Sequence, residues 1–383
     1  MLHWLWLGKT RTALNLIDAF VTKNEKVQVL VVVPTQFLKD QWITQVDERG
    51  LSFNVRVEII NTVIKYNWTC DLLIVDECHL AAAETFSRIF ERVQYKFILC
   101  LTGTMERLDM RHLLIEKFAP ICDIITLEEA ERNGWVAPHK EYVVLLDVDL
   151  TEYNEWTRKF NSYFAYFNFD FNLAMTVATN AIARNKWAKQ MGLDSKKTAA
   201  IAMDWMRIMK KRKDFVMNHP KKIEVAKKIL EARKDKKAIT FSATIKTAEA
   251  IGVGYTVHSQ KKAKENKEII QAFNDCECGV LNTSKSADQG VDLHGVNLEV
   301  ILHTDSSKIR KVQRVGRSVR YEEGKVAEIF TLIIAGTQEM KWLANSKTSK
   351  LITINEDQLD KILSGEQIQT RERNYCENLE FRF

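Results

Sequence analysis

Short apolar runs alternate with amphipathic stretches over the first third of the chain. Residues 27–33, 55–60, 72–75 and 96–101 are aliphatic runs with the length of strands buried on both faces. Between them, Thr12, Ala13, Leu14, Leu16, Ile17, Ala19 and Phe20, then Leu38, Gln41 and Trp42, recur at helical spacing. This alternation predicts a doubly wound parallel α/β domain over residues 1–150. From residue 151 to 236 the pattern changes to long helices without strands. There Tyr153, Trp156, Phe160, Tyr163, Phe164, Phe167 and Phe171 fall three and four apart, a stripe whose spacing favours packing over base stacking. Alternation resumes with apolar runs at 238–242, 279–282 and 298–302, which predicts a second α/β domain over 237–383. The helical segment is expected to join the two domains.

A length of 383 residues accommodates two such cores, and a composition of 46% hydrophobic and 28% charged residues is that of a globular protein. No apolar run reaches the length of a membrane span, and residues 2–7 lack the basic flank and cleavage site of a signal peptide. The expected location is the cytoplasm, with no membrane partner. Seven cysteines at irregular positions suit a reducing compartment, and Cys276 and Cys278 lack a second pair at a zinc spacing. The net charge of +6 is unevenly spread: residues 184–237 hold 18 Lys and Arg against 6 Asp and Glu. Its densest point is Lys210-Lys211-Arg212-Lys213. Such a concentration fits a phosphate backbone, and the segment is expected to contact nucleic acid through Lys210, Lys211 and Arg212.

Candidate chemistry lies at the ends of the apolar runs. The run at 72–75 ends in Asp76-Glu77-Cys78-His79, at the strand end where parallel sheets place ligands. An Asp that holds Mg2+ beside a Glu that orients water is the pair needed to hydrolyse a nucleoside triphosphate. Gly8-Lys9-Thr10 opens a helix, so its amides, the Lys9 ammonium and the Thr10 hydroxyl can face phosphates and Mg2+, with Arg11 in the same turn. The first glycine of a phosphate loop would fall at His3, and Trp4-Leu5-Trp6-Leu7 replaces the usual small residues. A weakened or rearranged nucleotide site is therefore expected. Thr102 and Thr104 follow the run at 96–101, where their hydroxyls can couple the acidic pair and His79 to a neighbouring surface. Far downstream, Gln313, Arg317 and Arg320 share one helical face, from which two guanidiniums can fork onto phosphate oxygens.

Read together, these stretches resemble the ordered motif set of superfamily 2 helicases over nearly the whole chain. Gly8-Lys9-Thr10 resembles motif I, Val32-Val33-Pro34-Thr35 with Gln41-Trp42 motif Ia, Asp76-Glu77-Cys78-His79 motif II, and Leu101-Thr102-Gly103-Thr104 motif III. Thr240-Phe241-Ser242 is similar to motif IV, Thr283 with Gly290-Val291-Asp292 to motif V, and Gln313 through Arg320 to motif VI. The resemblance implies two RecA-like domains with ATP and Mg2+ between them. Gly8, Lys9, Thr10, Arg11, Asp76 and Glu77 would come from the first, and Gly290, Asp292, Gln313, Arg317 and Arg320 from the second. It also implies that Pro34, Thr35, Asn61, Thr62 and Thr283 lie along a bound strand. Gly134-Trp135-Val136-Ala137-Pro138 looks like the repair and restriction branch, and the compact size resembles phage-encoded members. The implied activity is an ATP-dependent helicase or translocase acting, as a monomer, on single-stranded or branched DNA. The alternatives are an RNA helicase, or a nucleic-acid-binding module with a degenerate phosphate loop.

Overall fold

The first domain is organised by four parallel strands. In the computed structural model, which describes residues 2–3, 8–83, 85–103, 110–284, 293–304, 326–344 and 351–367, these elements are helix α1 (Lys9–Lys23), strand β1 (Val29–Val33), helix α2 (Gln36–Glu48), and strands β2 (Val55–Ile59), β3 (Leu72–Val75) and β4 (Phe97–Cys100). The sheet order is β2-β1-β3-β4, parallel throughout. Strands β1 and β3 are buried at every position because helices cover both faces. Val29, Val31, Val33, Leu72 and Ile74 pack on one side with Ala13, Leu14, Ile17 and Trp42. Leu30, Val32, Leu73 and Val75 pack on the other with Ile60, Ile89, Phe90 and Ile115. The backbone at Leu2–His3 pairs with Ile124–Ile125 in a separate two-stranded ladder, outside the main sheet.

The second sheet begins earlier in the chain than the sequence pattern suggests. It contains β5 (His139–Leu146), followed by helices α3 (Thr151–Ala165), α4 (Phe171–Thr179), α5 (Ala181–Gln190), α6 (Ser195–Asn218) and α7 (Pro220–Ala232). The strands that complete it are β6 (Lys237–Ser242), β7 (Tyr255–Val257), β8 (Gly279–Ser284), β9 (Leu298–Ile301), β10 (Ala327–Ile334) and, after helix α8 (Gln338–Ala344), β11 (Leu351–Asn355). The seven strands are parallel in the order β7-β8-β6-β9-β10-β5-β11. Strand β5 is paired along its full length with β10, from His139 with Ala327 to Leu146 with Ile334.

The division at residue 150 therefore does not follow the hydrogen bonding. Ile115 packs in the first domain, whereas Ala130 and Val136 already pack with Phe241 and Phe273 of the second. The helical segment is an excursion from the second domain, leaving after β5 and returning through α7, and not a connector between domains. The physical reason is that β5 is an apolar run whose partners β10 and β11 lie far downstream, so sequence proximity assigns it to the wrong sheet.

The helical unit has its own core. Trp205 of α6 is fully buried, with the rings of Phe160, Phe164, Phe167 and Phe171 centred 5.8, 5.7, 6.0 and 5.6 Å away. Most of the aromatic stripe thus packs inward, while Phe171 keeps about half of its surface in solvent (51%). Arg212, expected to contact nucleic acid, is turned inward as well. Its Nε donates to Thr157 Oγ1 at 3.1 Å and its Nη2 to the Tyr153 hydroxyl at 3.3 Å, and its guanidinium lies 4.6 Å from the Phe160 ring centre. It bolts α6 to α3. Its neighbours Lys210, Lys211 and Lys213 remain exposed.

At the base of this unit, Lys222 of α7 meets Glu339 of α8 at 2.7 and 2.8 Å, with both side chains essentially inaccessible. Burial lowers the affinity of Lys222 for its proton and raises that of Glu339, and their mutual attraction opposes both shifts. Glu339 also accepts from the Ile334 amide at 3.1 Å. Removing one partner leaves an uncompensated buried charge. Lys222→Met should therefore lower stability by about 3–5 kcal/mol, and the double variant Lys222→Met/Glu339→Gln should recover most of it. Urea unfolding of both variants checks this; equal losses in the two would refute it.

Candidate nucleotide site and nucleic-acid edge

The parallel ladder of the first domain brings four segments to one edge. In sheet order they carry Asn61 and Thr62 after β2, Pro34 and Thr35 after β1, Asp76 and Glu77 after β3, and Thr102 after β4. Asn61 is exposed, while Thr62, Pro34 and Thr35 are half-buried. Thr35 also caps α2, its hydroxyl accepting from the Leu38 amide at 3.3 Å.

Helix α1 starts directly from Gly8, whose φ of 76° is in the left-handed region that a side chain would strain. No side chain caps this helix. Its first-turn amides therefore lack the intrahelical acceptors that later turns provide, an arrangement suited to anions. Lys9 is buried, Thr10 half-buried and Arg11 exposed. The Lys9 ammonium reaches Glu77 Oε1 at 3.3 Å.

The acidic pair is tightly held. Asp76 is buried, and both its oxygens accept hydrogen bonds: Oδ1 from the Glu77 amide at 2.9 Å and Oδ2 from the Trp42 indole at 2.9 Å. Glu77 has φ 48°, uncommon for a side-chain-bearing residue and costing about 1–2 kcal/mol. That turn brings the Glu77 carboxylate back toward Lys9 and His79. His79 Nδ1 stands 3.3 Å from Glu77 Oε2 and 3.0 Å from Thr102 Oγ1, so the loops after β3 and β4 share one imidazole nitrogen.

The two carboxyl groups are driven in opposite directions. Burial first, then the Glu77 charge, pushes Asp76 above its usual range. Burial acts upward on Glu77 too, but Lys9 and His79 outweigh it and bring that group down to about 2. The donor set fits Mg2+ and a polyphosphate: a buried ammonium, an uncapped helix start and a buried carboxylate converge. Thr10 and Asp76 are the residues that would hold the metal.

Comparison with known proteins concerns the family of the chain. The model of the type III restriction enzyme res subunit matches residues 7–67 and 64–107, and that of the helicase conserved C-terminal domain matches residues 221–322. The DNA 3'-5' translocase XPB2 of Sulfurisphaera tokodaii is 26% identical over 364 residues, covering 87% of this chain and 77% of that protein. The chain belongs to the superfamily 2 helicases.

The res-subunit model and the XPB2 relative support the repair and restriction type within that superfamily. ATP-dependent DNA helicase MPH1 of Saccharomyces cerevisiae is 31% identical over 105 residues, which span 27% of this helicase but only 10% of MPH1. Two solved structures share the fold. The Pyrococcus furiosus Hef helicase domain superimposes with TM-score 0.52 at 16% identity, covering 91% of this helicase and 94% of that chain. S. cerevisiae Dbp5, bound to RNA and ADP BeF3, does so with TM-score 0.59 at 13% identity, covering 95% and 86%.

Of the expected site residues, Lys9, Asp76, Glu77, His79 and Thr102 are brought together. Thr104, Gly290, Asp292, Gln313, Arg317 and Arg320 lie outside the described residues. Thr283 does not reach an exposed edge: it is buried in β8 and its hydroxyl donates to the Thr240 carbonyl at 2.7 Å. A buried hydroxyl must find an acceptor, and the neighbouring strand is nearest. Trp42, which the resemblance placed in motif Ia, contributes a hydrogen bond to Asp76 that the sequence pattern did not suggest. The available signal was an indole at a buried helical position, which needs a partner for its N–H.

The pH dependence of the Lys9–Glu77 contact has a definite sign. Glu77 binds its proton less tightly folded than unfolded, so its stabilisation is complete above its usual 4.5 and is lost as pH falls toward about 2. Lys9→Met removes the balancing ammonium and leaves two buried carboxylates. The variant should be about 1–3 kcal/mol less stable at neutral pH, with the gap closing between pH 4.5 and 2. Thermal unfolding across that range tests it, and a gap independent of pH would contradict it.

Proposed function

We propose that this helicase is an ATP-dependent DNA translocase that separates or remodels strands and works as a monomer. Family membership already assigns it to the nucleic-acid helicases and brings the use of ATP, typically with Mg2+. The observation that carries the finer reading is the meeting of Lys9, Asp76 and Glu77 beside an uncapped helix start, on the same sheet edge as Pro34, Thr35, Asn61 and Thr62. Nucleotide chemistry and a polar track for a strand then share one rigid support.

In this reading the α1 amides and Lys9 bind the terminal phosphates, and Glu77 takes the proton of the attacking water as the γ-phosphorus to bridging-oxygen bond breaks. A carboxylate held down to about 2 by Lys9 is a weak base. When the ammonium turns to phosphate, that restraint is relieved, so nucleotide binding itself raises the basicity of Glu77. Mg2+, held by Thr10 and Asp76, would supply positive charge to the phosphate oxygens. The second domain would contribute Arg317 and Arg320, with Gln313, Gly290 and Asp292 nearby, as the family resemblance implies. The His79–Thr102 contact would report the state of Glu77 to the adjoining loop.

DNA is favoured as partner because the relatives XPB2 and MPH1 carry DNA in their names. Steady-state hydrolysis with Mg2+ and single-stranded DNA should exceed the basal rate, and RNA should stimulate less. Glu77→Gln should reduce the stimulated kcat by about 10²-fold or more. Equal stimulation by RNA would shift the substrate class, and an unaffected Glu77→Gln rate would remove the base assignment. The helical unit supplies a separate test through its exposed lysines. Replacing Lys210, Lys211 and Lys213 together by Gln should weaken DNA binding and lower the slope of log affinity against log salt by about 2–3; an unchanged slope would exclude that face from the interface.

A further inference from the structure

Trp42 is fully buried and spends its one polar atom on Asp76. With the Glu77 amide on the other oxygen, that bond fixes both the rotamer and the plane of the carboxylate. Helix α2, which carries Trp42, begins at Thr35, the residue that caps it and stands on the proposed nucleic-acid edge. Two helical turns separate Thr35 from Trp42, and Trp42 and Val46 seat the helix in the core formed with β1 and β3. A displacement of Thr35 is thus carried by a rigid element to the hydrogen bond on Asp76. The other hydrogen bonds of Asp76 come from its immediate backbone: the Glu77 amide donates to Oδ1, and the Asp76 amide donates to the Val32 carbonyl of the sheet at 2.9 Å.

We propose that Trp42 is a positioning residue through which engagement of nucleic acid at Pro34 and Thr35 aligns the Asp76 carboxylate for hydrolysis. The inference rests on the hydrolytic reading above and adds a route of coupling within the first domain. The indole N–H is buried against Asp76 and acts through that carboxylate. In a buried setting such a bond resists reorientation more than it would in water.

The test uses the full chain with 3-benzothienylalanine at position 42, which keeps the bicyclic ring and removes only the N–H, alongside Trp42→Phe. DNA-stimulated kcat should fall on the order of tenfold or more, with DNA affinity and the KM for ATP changed less than twofold and the unfolding midpoint of the benzothienyl protein retained. A readout independent of turnover is the ¹⁹F spectrum of 5-fluorotryptophan-labelled protein. There the Trp42 resonance, identified by its loss in Trp42→Phe, should shift when single-stranded DNA is added without nucleotide. Stimulated hydrolysis equal to wild type in the benzothienyl protein, or a resonance indifferent to DNA, overturns the proposal. Absence of stimulated hydrolysis in the wild-type chain overturns the hydrolytic reading itself, and the proposed alignment falls with it. The two failures are thus separated by which protein shows them.

Discussion

The constraint on which the rest depends is the burial of β3 on both faces. A strand covered on both sides carries charge along its length only at a desolvation cost, and β3 carries none: Asp76 and Glu77 follow its last residue. Parallel neighbours then put the ends of β1, β2 and β4 at the same level, and every polar loop that could serve nucleotide or strand comes to one side. The energetic cost of holding two carboxylates there is visible in the opposed proton affinities of Asp76 and Glu77 and in the left-handed backbone of Glu77. Lys9, His79 and the Trp42 indole offset that cost. Stability and chemistry therefore draw on the same few contacts.

Much of this organisation could be read from residues alone, because it follows from local rules. Aliphatic runs of four to seven residues, each ended by polar or turn-forming residues, specify strands and their functional ends without reference to the rest of the chain. What could not be read was pairing at long range. Strand β5 looks like the last strand of the first domain, since nothing in its own sequence names β10 and β11 as partners. Arg212 and Thr283 fail for a related reason. Each belongs to a segment of the expected character, but side-chain direction is decided by what packs opposite: Tyr153 and Thr157 in one case, the Thr240 carbonyl in the other.

The helical unit shows how charge and packing divide a single segment. Its basic excess suggests an electrostatic surface, and its aromatic stripe suggests a core; both are present on the same helices. Trp205 gathers the rings inward while Lys210, Lys211 and Lys213 stay in solvent, and Arg212 belongs to the inner set because its guanidinium can stack and donate at once. Anchored by Arg212 and Tyr153, and by the Tyr153 hydroxyl that accepts from the Gln338 amide at 3.0 Å, the unit is fastened to the second domain at its base.

The place of β5 has a consequence for how the chain is made. All the strands of the first domain's four-stranded sheet lie before residue 101, so that domain can close early in synthesis. Strand β5 follows soon afterwards, yet its neighbours on both sides, β10 and β11, are translated only after residue 326. At 5–20 residues per second this apolar strand waits roughly ten to forty seconds with both edges open. During that interval the helical unit, encoded immediately after it, can assemble its own core and shield one end of the strand. The second domain is thus a late closure around an early strand, and its greatest exposure to aggregation comes during synthesis.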